Sequence, residues 1–372
     1  MTPRTNEASW IESAKRWQIK VQRDGVRKMF TSSTPGKRGK LEAEYKADEW
    51  LQGNSVNDGT RVSALVEAWF ADLQQRTSQS HWRQYESYIK NWILPLIGCK
   101  RIRDVKKTDL QRIINTAYAT GCNGEGLAMK TLKNIRACIS SFLKYCRAAD
   151  ATTLTAEFIT LPRQARAPEK TIATPEDLAK LFSTDETDHQ GRVCSDRYIH
   201  AYRLAALIGL RPGELLGLQW NDLKEDKLSI RRAINNYGET TPGKNANARR
   251  TIKLPAYAVA EIEAQRDMLR TESLITPVMF PREDGSTLSQ KMLRDNWQRF
   301  CRHNSINEAT TPYELRHTFV SVVDEMPTMI KKQVVGHSQS MDTEGIYGHN
   351  KASDLQKAAD YIDAAFAEIL NK

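Results

Sequence analysis

The sequence predicts a mainly α-helical protein with small β elements (an α+β fold) and more than one domain. Helical periodicity fills residues 61–160, and short strand patterns occur near residues 17–31 and 228–255. The chain of 372 residues is long for a single hydrophobic core. Its 40% hydrophobic and 27% charged residues are typical of a globular protein and exclude a low-complexity or wholly disordered chain.

The first 60 residues are predicted to form a small β-sheet backed by one helix. Apolar and polar residues alternate over 17–22 and again over 26–31, which is the pattern of half-buried strands. A flexible stretch over 32–40 then leads to a helix from Glu42. Such a sheet could place strands in a DNA groove, while a small packing module with solvated lysines is the equal alternative. The candidate DNA-binding residues of this segment are Arg27 and Lys28.

Residues 61–160 are predicted to be helical throughout. Apolar side chains recur three and four residues apart over 62–69, 85–93 and 132–143. A basic loop, KRIRDVKK, separates the second and third of these helices and has five basic residues in eight. Such a loop is suited to clamping DNA phosphates, although most charge runs are only solvated surface. The candidate phosphate contacts are Lys100, Arg101, Arg103, Lys106 and Lys107.

The positive charge is unevenly distributed along the chain. Residues 1–60 contain 11 Lys or Arg against 8 Asp or Glu, residues 61–169 contain 17 against 9, and residues 170–372 contain 27 against 28. The net charge of the chain is +10, and its positive excess therefore lies in the first half. This asymmetry predicts a segment that grips a polyanion beside a segment with another task.

A linker and a further domain follow the helical segment. Prolines and alanines over 161–173 disfavour regular structure, and Thr174 followed by Pro175 and two acidic residues is typical of a helix start. We therefore predict domains over 1–60, 61–160 and 174–372, with a linker over 161–173. The last 20 residues form an amphipathic pattern, which fits a helix that closes its own domain or one that packs on a neighbouring subunit.

Several classes of protein are disfavoured. No apolar run approaches the roughly 20 residues of a membrane span, and the first residues lack the apolar core of a secretion signal, so we expect a cytoplasmic protein without membrane contact. The six cysteines have no C-x-x-C spacing, and the histidines do not cluster. This spacing argues against a disulfide framework and against a structural or catalytic zinc site.

The residues that could carry chemistry lie in the last 200 positions. Arg211 interrupts an apolar run and needs a partner, which Glu214 could supply. The segments 228–234 and 249–255 predict a β-hairpin with Lys244 near its tip. The remaining candidates occur in two short segments and are Tyr313, Arg316, His337 and Tyr347. Each residue taken alone has an ordinary structural explanation.

Taken in order, these residues resemble the catalytic set of the tyrosine recombinase family, the phage and mobile-element integrases. The spacing is Arg–(33 residues)–Lys–(72)–Arg–(21)–His–(10)–Tyr, and the segments GLRPGEL, ELRHTF, VVGH and IYGH carry the resemblance. It covers residues 174–372 as a mixed α/β catalytic domain. More weakly, residues 61–160 resemble the family's helical core-binding domain, and the N-terminal segment resembles its arm-type DNA-binding domain.

The resemblance implies a phosphodiester transesterification. Tyr347 would attack the scissile phosphate, form a 3′-phosphotyrosyl link and release a 5′-hydroxyl, which later attacks the link on a partner strand. Arg211 and Arg316 match the two arginines that stabilise the developing negative charge. Lys244 matches the proton donor to the leaving oxygen.

The resemblance also implies supporting roles and one departure. His337 matches a histidine that hydrogen-bonds the phosphate, and Glu214 matches the acidic position that supports Arg211. The family usually has His-x-x-Arg where this chain has Tyr313-x-x-Arg316. A phenol is a neutral donor at pH 7, so Tyr313 can hydrogen-bond a phosphate oxygen but cannot act as an imidazolium. His317 is interpreted as structural.

The implied protein is a site-specific DNA integrase of a phage or mobile element that needs no metal and no cofactor. Its implied partners are double-stranded DNA at attachment sites and three further copies of itself in a tetramer, with a host DNA-bending factor and an excisionase as further candidates. Two alternatives stay open. One is another tyrosine recombinase role such as a resolvase, and the other is a non-catalytic DNA-binding protein.

Overall fold

The structure is a computed structural model. It describes residues 6–23, 25–52, 58–121, 126–167, 171–243, 249–308, 310–336 and 352–371. The chain divides into two compact units, Met1–Pro168 and Glu169–Lys372. The predicted mainly α-helical architecture with small β elements is confirmed.

The first unit contains a small sheet, one helix against it, and a helical bundle. Its elements are β1 (Ser9–Ile11), β2 (Arg16–Arg23), β3 (Val26–Ser32), α1 (Gly36–Gln52), α2 (Val62–Arg76), α3 (Gln79–Tyr88), α4 (Leu94–Ile97), α5 (Lys107–Thr120) and α6 (Met129–Ala148). The sheet has the order β1-β2-β3, with antiparallel pairing throughout.

The N-terminal sheet packs one face on α1. Ile19 and Val21 of β2 are buried together with Ala43 and Ala47 of α1, as the alternation in the sequence predicts. Successive residues of a strand point to opposite faces, so Gln18, Lys20 and Gln22 lie on the other, solvent-exposed side.

The predicted flexible stretch over 32–40 is wrong in its second half, because α1 begins at Gly36 rather than at Glu42. The hydroxyls of Ser32 and Thr34 donate to the Glu42 carboxylate at 2.9 and 3.2 Å and tie the strand end to the helix. A Cβ on Gly39 would lie 1.7 Å from the Thr34 carbonyl oxygen, so only glycine permits this close approach.

The helical bundle has its own core. The apolar positions predicted over 62–69 and 132–143 are buried in α2 and α6. The third pattern, over 85–93, does not form one regular α-helix, because α3 passes into a π-helical turn over Ile89–Ile93 before α4. Pro95 follows that turn and has no N–H to give to the preceding turn of a helix, which accounts for the irregularity.

The second unit combines helices with short antiparallel strands. Its elements are α7 (Pro175–Ser183), β4 (Glu186–His189), β5 (Arg192–Ser195), α8 (Ile199–Ile208), α9 (Pro212–Leu216), β6 (Leu223–Lys224), β7 (Lys227–Ile230), β8 (Ala233–Ile234), β9 (Thr240–Thr241), β10 (Arg250–Lys253), α10 (Ala256–Thr271), α11 (Gln290–His303), α12 (Pro312–Val322), α13 (Thr328–Val335) and α14 (Ala352–Leu370). Its strands form a sheet of order β10-β7-β6 and the pairs β4-β5 and β8-β9.

The core of the second unit forms around α8, which is buried along most of its length. Thr174 caps α7 by accepting a hydrogen bond from the Asp177 amide at 3.1 Å, as the sequence predicts. The predicted hairpin is also present, since β7 pairs with β10 and Leu228 lies opposite Ile252.

The C-terminal helix α14 contributes to this same core. Ala358, Ile362 and Phe366 are buried in it, and the ring of Phe366 lies 6.0 Å from that of Phe182 on α7. In the described residues the amphipathic face therefore closes its own domain, which is one of the two predicted roles. None of the described helices is long and apolar enough to cross a membrane.

Candidate active site

Four of the seven predicted catalytic and supporting residues lie within the described structure. Arg211 immediately precedes α9, Glu214 lies on α9, and Tyr313 and Arg316 lie on α12. The other three lie outside the described residues and are Lys244, His337 and Tyr347. The described geometry therefore concerns the arginine part of the predicted site.

Arg211 is held by Glu214. Its Nη1 donates to Glu214 Oε1 at 2.5 Å, and its backbone amide donates to Glu214 Oε2 at 3.1 Å. Pro212 occupies the first helical position, and Glu214, the third residue of α9, lies in the first turn beside Arg211. The side chain of Arg211 is 21% exposed and that of Glu214 is 2% exposed. The carboxylate is therefore buried, while the guanidinium that it binds reaches the surface.

Arg316 is buried and bound to two backbone carbonyls. Its Nη1 donates to the Gly209 oxygen at 2.8 Å and its Nη2 to the Val335 oxygen at 2.6 Å. Burial lowers the pKa of Arg316 to about 10, and the nearby charge of Arg211 acts in the same direction. The guanidinium is still a cation at pH 7, and its remaining N–H donors have no charged acceptor among these contacts.

A third arginine, Arg250 on β10, belongs to the same cluster and was not predicted. Its Nη2 donates to Glu214 Oε2 at 3.0 Å, its Nε donates to the Val334 oxygen at 2.6 Å, and its side chain is 5% exposed. The sequence contains a signal for it, because Arg250 and the core residue Ile252 are two positions apart on one strand and share a face.

The three arginines meet at the C-terminal end of α13. Arg250 binds the carbonyl of Val334, Arg316 that of Val335, and Arg211 Nη2 that of Gly336 at 3.3 Å. The last carbonyls of a helix lack partners within it and favour positive charge, so this end anchors all three side chains. The next residue in the chain is His337.

Electrostatics make this cluster suited to an anion. Burial would raise the pKa of the Glu214 carboxyl, but Arg250 and then Arg211 outweigh that effect and hold the pKa below its ordinary value. Three guanidiniums then face one carboxylate, which leaves an excess of two positive charges. A DNA phosphodiester with bidentate contacts to the arginines would offset one of these charges, and the negative charge that develops in the transition state would offset the other.

Tyr313 lies one turn before Arg316 on α12 and is 44% exposed. Its ring makes an edge-to-face contact with His317, with centroids 5.1 Å apart. The phenol is therefore accessible from outside, and His317 packs against it.

The candidate DNA-binding residues of the sheet lie on opposite faces. Arg27 is exposed on the outer face, opposite Gln22. Lys28 lies on the inner side, where its ammonium sits 5.5 Å from the ring centroid of Phe30 and 6.0 Å from that of Trp50. Adjacent strand positions cannot both join one flat contact surface.

The basic side chains of the loop over 100–107 also differ in their surroundings. Lys100 Nζ donates to Asp109 at 2.6 Å, and the Lys107 ammonium sits 5.3 Å from the ring centroid of Phe158. The side chains of Arg101, Arg103, Lys106 and Lys107 are exposed, and Arg103 Nε lies 3.9 Å from Asp104 Oδ1. These four are accordingly better placed than Lys100 to meet a phosphate backbone.

Comparisons with known proteins agree with these features. Residues 172–354 match the model of the phage integrase family, and residues 62–118 match that of the N-terminal SAM-like domain of phage integrases. A tyrosine recombinase XerC-like protein of Caldanaerobacter subterraneus is 27% identical, over 98% of this chain and all of that protein.

Solved structures are similar in fold. The integrase of transposon Tn1549, solved with transposon right end DNA, has a TM-score of 0.62 and 18% identity over 81% of this chain and 99% of that chain. A lambda integrase tetramer bound to a Holliday junction has a TM-score of 0.58 and 15% identity over 94% of this chain and 99% of that one. At these identities the similarity shows the fold.

Proposed function

The chain belongs to the phage integrase family of tyrosine recombinases, and from that premise we propose that it is the site-specific recombinase of a mobile element, cutting and rejoining DNA through Tyr347. The observation that carries the proposal is the buried arginine cluster. Arg211 and Arg316 are fixed by Glu214 and by backbone carbonyls, so their free donors need no reorganisation when charge develops on a phosphate.

In the proposed reaction the Tyr347 hydroxyl gives its proton to a base, for which His337 is the candidate, its oxygen attacks the scissile phosphorus, and the bond to the 5′-oxygen breaks. The DNA strand is then linked by its 3′-phosphate to the tyrosine, and the 5′-hydroxyl leaves with a proton from Lys244. Attack of a 5′-hydroxyl from a partner strand reverses the step and conserves the bond energy. His337 is proposed to hydrogen-bond the phosphate.

Tyr313 is proposed to hydrogen-bond a phosphate oxygen from its exposed position on α12. A phenol donates a hydrogen bond but supplies no positive charge. On α12 the positive charge beside the phosphate would then come from Arg316.

The first unit is proposed to bind DNA at two places. The exposed face of the β2–β3 ribbon, with Arg27, would enter a DNA groove as an arm-type module, and the exposed side chains of the basic loop would contact phosphates at the core site. We keep domains over 1–60, 61–160 and 174–372 as the proposed division. A chain without residues 1–60 is then expected to cleave core sites and to lose integration.

The proposed assembly is a homotetramer on two DNA duplexes in the cytoplasm, with a host bending factor and an excisionase as further partners. The lambda integrase tetramer on a Holliday junction supports this stoichiometry by similarity of fold. A resolvase is the second candidate, favoured by the XerC-like relative, which matches over nearly the whole of this chain. The N-terminal sheet module favours the integrase.

The test is a suicide-substrate assay. Labelled duplexes from the junctions of the element carry a nick that traps the covalent intermediate, EDTA is present throughout, and products are resolved on a denaturing gel. We expect an EDTA-resistant protein–DNA adduct with the wild type and none with Tyr347→Phe, which should still shift the same DNA. Absence of the adduct with intact binding would favour the non-catalytic DNA-binding alternative.

A further inference from the structure

We infer that Arg250 is a positioning residue of the cleavage site, which ties the carboxylate that holds Arg211 to the end of the helix that leads into His337. The inference rests on the function proposed above. Its basis is a bridge between three elements distant in sequence: β10 supplies Arg250, α9 supplies Glu214, and α13 supplies the Val334 carbonyl.

Arg250 acts through these partners rather than on DNA itself. Its side chain is 5% exposed, and both its Nε and its Nη2 are bonded within the protein. Arg211 shares the same carboxylate but is 21% exposed. A phosphate approaching from solvent would therefore meet Arg211, while Arg250 fixes the other side of Glu214.

The fork of the guanidinium sets the distance between its two partners. Because the group is planar, the donors to Glu214 and to Val334 are held at a fixed separation, and a shift of α13 relative to α9 breaks one of the two bonds. Arg211 and Arg316 bind the following two carbonyls. Arg250 thereby keeps Glu214, and with it Arg211, in place against the end of α13.

Arg250 also keeps Glu214 ionised. Within the part of the chain that the structure describes, the charged groups that face this carboxylate are Arg211 at the start of its own helix, Arg250 from β10 and Arg316 from α12. Burial opposes ionisation, and Arg250 is the largest influence in the other direction. Without it the pKa of Glu214 rises, and a protonated carboxyl is a poorer acceptor for the Arg211 amide and guanidinium.

The test compares Arg250→Gln and Arg250→Lys in the full chain. Adduct formation on nicked attachment-site duplexes is measured in a single turnover from pH 6 to 8.5, alongside DNA affinity and Tm. A matched control is Arg232→Gln, because Arg232 likewise binds a buried carboxylate, Asp222 at 2.6 Å, and the Gly217 carbonyl at 3.0 Å.

We expect Arg250→Gln to slow adduct formation about 100-fold, as a small misplacement of reacting groups does. Its deficit relative to the wild type should grow as the pH falls, because the loss of Arg250 raises the pKa of Glu214 and so favours its protonation. Arg250→Lys should restore the wild-type pH profile through its charge but only part of the rate, since an ammonium lacks the fork. Arg232→Gln should lower Tm and leave the pH profile unchanged.

Each other outcome decides against the inference. A wild-type rate and profile in Arg250→Gln would overturn it, and so would the same change of profile in Arg232→Gln. If Arg250→Gln does not fold, a full wild-type rate in Arg250→Lys overturns it. Failure of the wild type to form an adduct overturns the proposed function itself, whereas equal adducts from wild type and Arg250→Gln overturn only the role of Arg250.

Discussion

The two units carry positive charge in opposite ways. In the second unit, Arg316 and Arg250 are almost completely buried, and their donors are fixed by Glu214 and by carbonyls of α13. In the first unit, the side chains of Arg101 and Arg103 are exposed to water and salt. Buried, oriented charge acts strongly at short range, whereas exposed charge is screened. The buried arginines of the second unit are therefore suited to catalysis, and the exposed arginines of the first unit are suited to DNA binding.

The largest expected effect concerns the buried set. Replacing Arg316 by Lys keeps the charge but loses the planar fork that reaches two carbonyls and a phosphate. We expect a 100- to 1,000-fold slower adduct formation with DNA affinity nearly unchanged, by analogy with the loss of one donor to a developing anion. Single-turnover cleavage and a gel-shift titration measure the two quantities. A rate within threefold of the wild type would remove Arg316 from the chemistry.

Asp196 is a second buried carboxyl group of the second unit. Its pKa is raised by burial, whereas arginines hold the pKa of Glu214 below its ordinary value. Asp196 is 1% exposed, and its Oδ2 has no hydrogen-bond partner among the described residues. Burial raises its pKa to about 6, above the ordinary value of 3.8, although the Tyr198 amide and Arg299 act against this. The folded state therefore binds a proton that the unfolded state releases between about pH 4 and 6.

Stability should accordingly fall as the pH rises through that window, by about 3 kcal/mol for a shift of this size. Asp196→Asn retains an oxygen for the Tyr198 amide and removes the ionisation. Urea unfolding at pH 4.5, 6 and 7.5 should show the variant gaining on the wild type as the pH rises. A constant difference between the two proteins would mean that Asp196 is ionised normally in the folded state.

In the first unit, the two basic residues of β3 are expected to contribute differently to DNA affinity. Arg27→Ala should weaken binding to arm-type DNA by about 1–3 kcal/mol if the guanidinium reads a base or by less if it meets a phosphate. Lys28→Ala should leave DNA affinity nearly unchanged, because its ammonium lies toward Phe30 and Trp50. Fluorescence anisotropy with arm-site duplexes provides the affinities. The reverse order would contradict the assignment of the outer face of the sheet to DNA.

The smallest effect is expected in the basic loop. The double change Arg101→Gln and Arg103→Gln should reduce the slope of log affinity against log salt by about 2, one for each phosphate that is no longer neutralised, with cleavage at saturating DNA unchanged. Lys291→Gln, an exposed lysine of the second unit paired with Asp295, is the matched control. An unaltered slope would show that the loop does not neutralise phosphates.

Regular elements and local caps could be predicted from the sequence. The buried faces of α2 and α6 and the cap at Thr174 follow from residue spacing and side-chain chemistry within a few positions. Local rules failed at two places in the N-terminal module. The start of α1 contains Gly36 and Gly39, which are typical of a loop, although Gly39 lies close to the Thr34 carbonyl at the start of a helix. The surroundings of the Lys28 ammonium depend on Trp50, which is distant in sequence on α1.

The candidate site likewise contains residues that short motifs identify and a residue that only the fold brings to the site. Arg211, Glu214 and Arg316 could be selected from short motifs that resemble a known family, and the structure brings them together. Arg250 could not be selected in that way, because its importance arises from β10, α9 and α13 meeting in space. The spacing of the motifs carries no information about which carbonyl each arginine binds.

The most direct test of the central claim is to map the tyrosine that bears the DNA. The trapped adduct is digested with nuclease and trypsin, and the peptides are analysed by mass spectrometry. Cleavage after Lys332 and Lys351 yields a peptide whose single tyrosine is Tyr347, while cleavage after Arg302 and Arg316 yields one whose single tyrosine is Tyr313. We expect the residual nucleotide on the peptide that contains Tyr347. A nucleotide on the Tyr313 peptide would contradict the central claim.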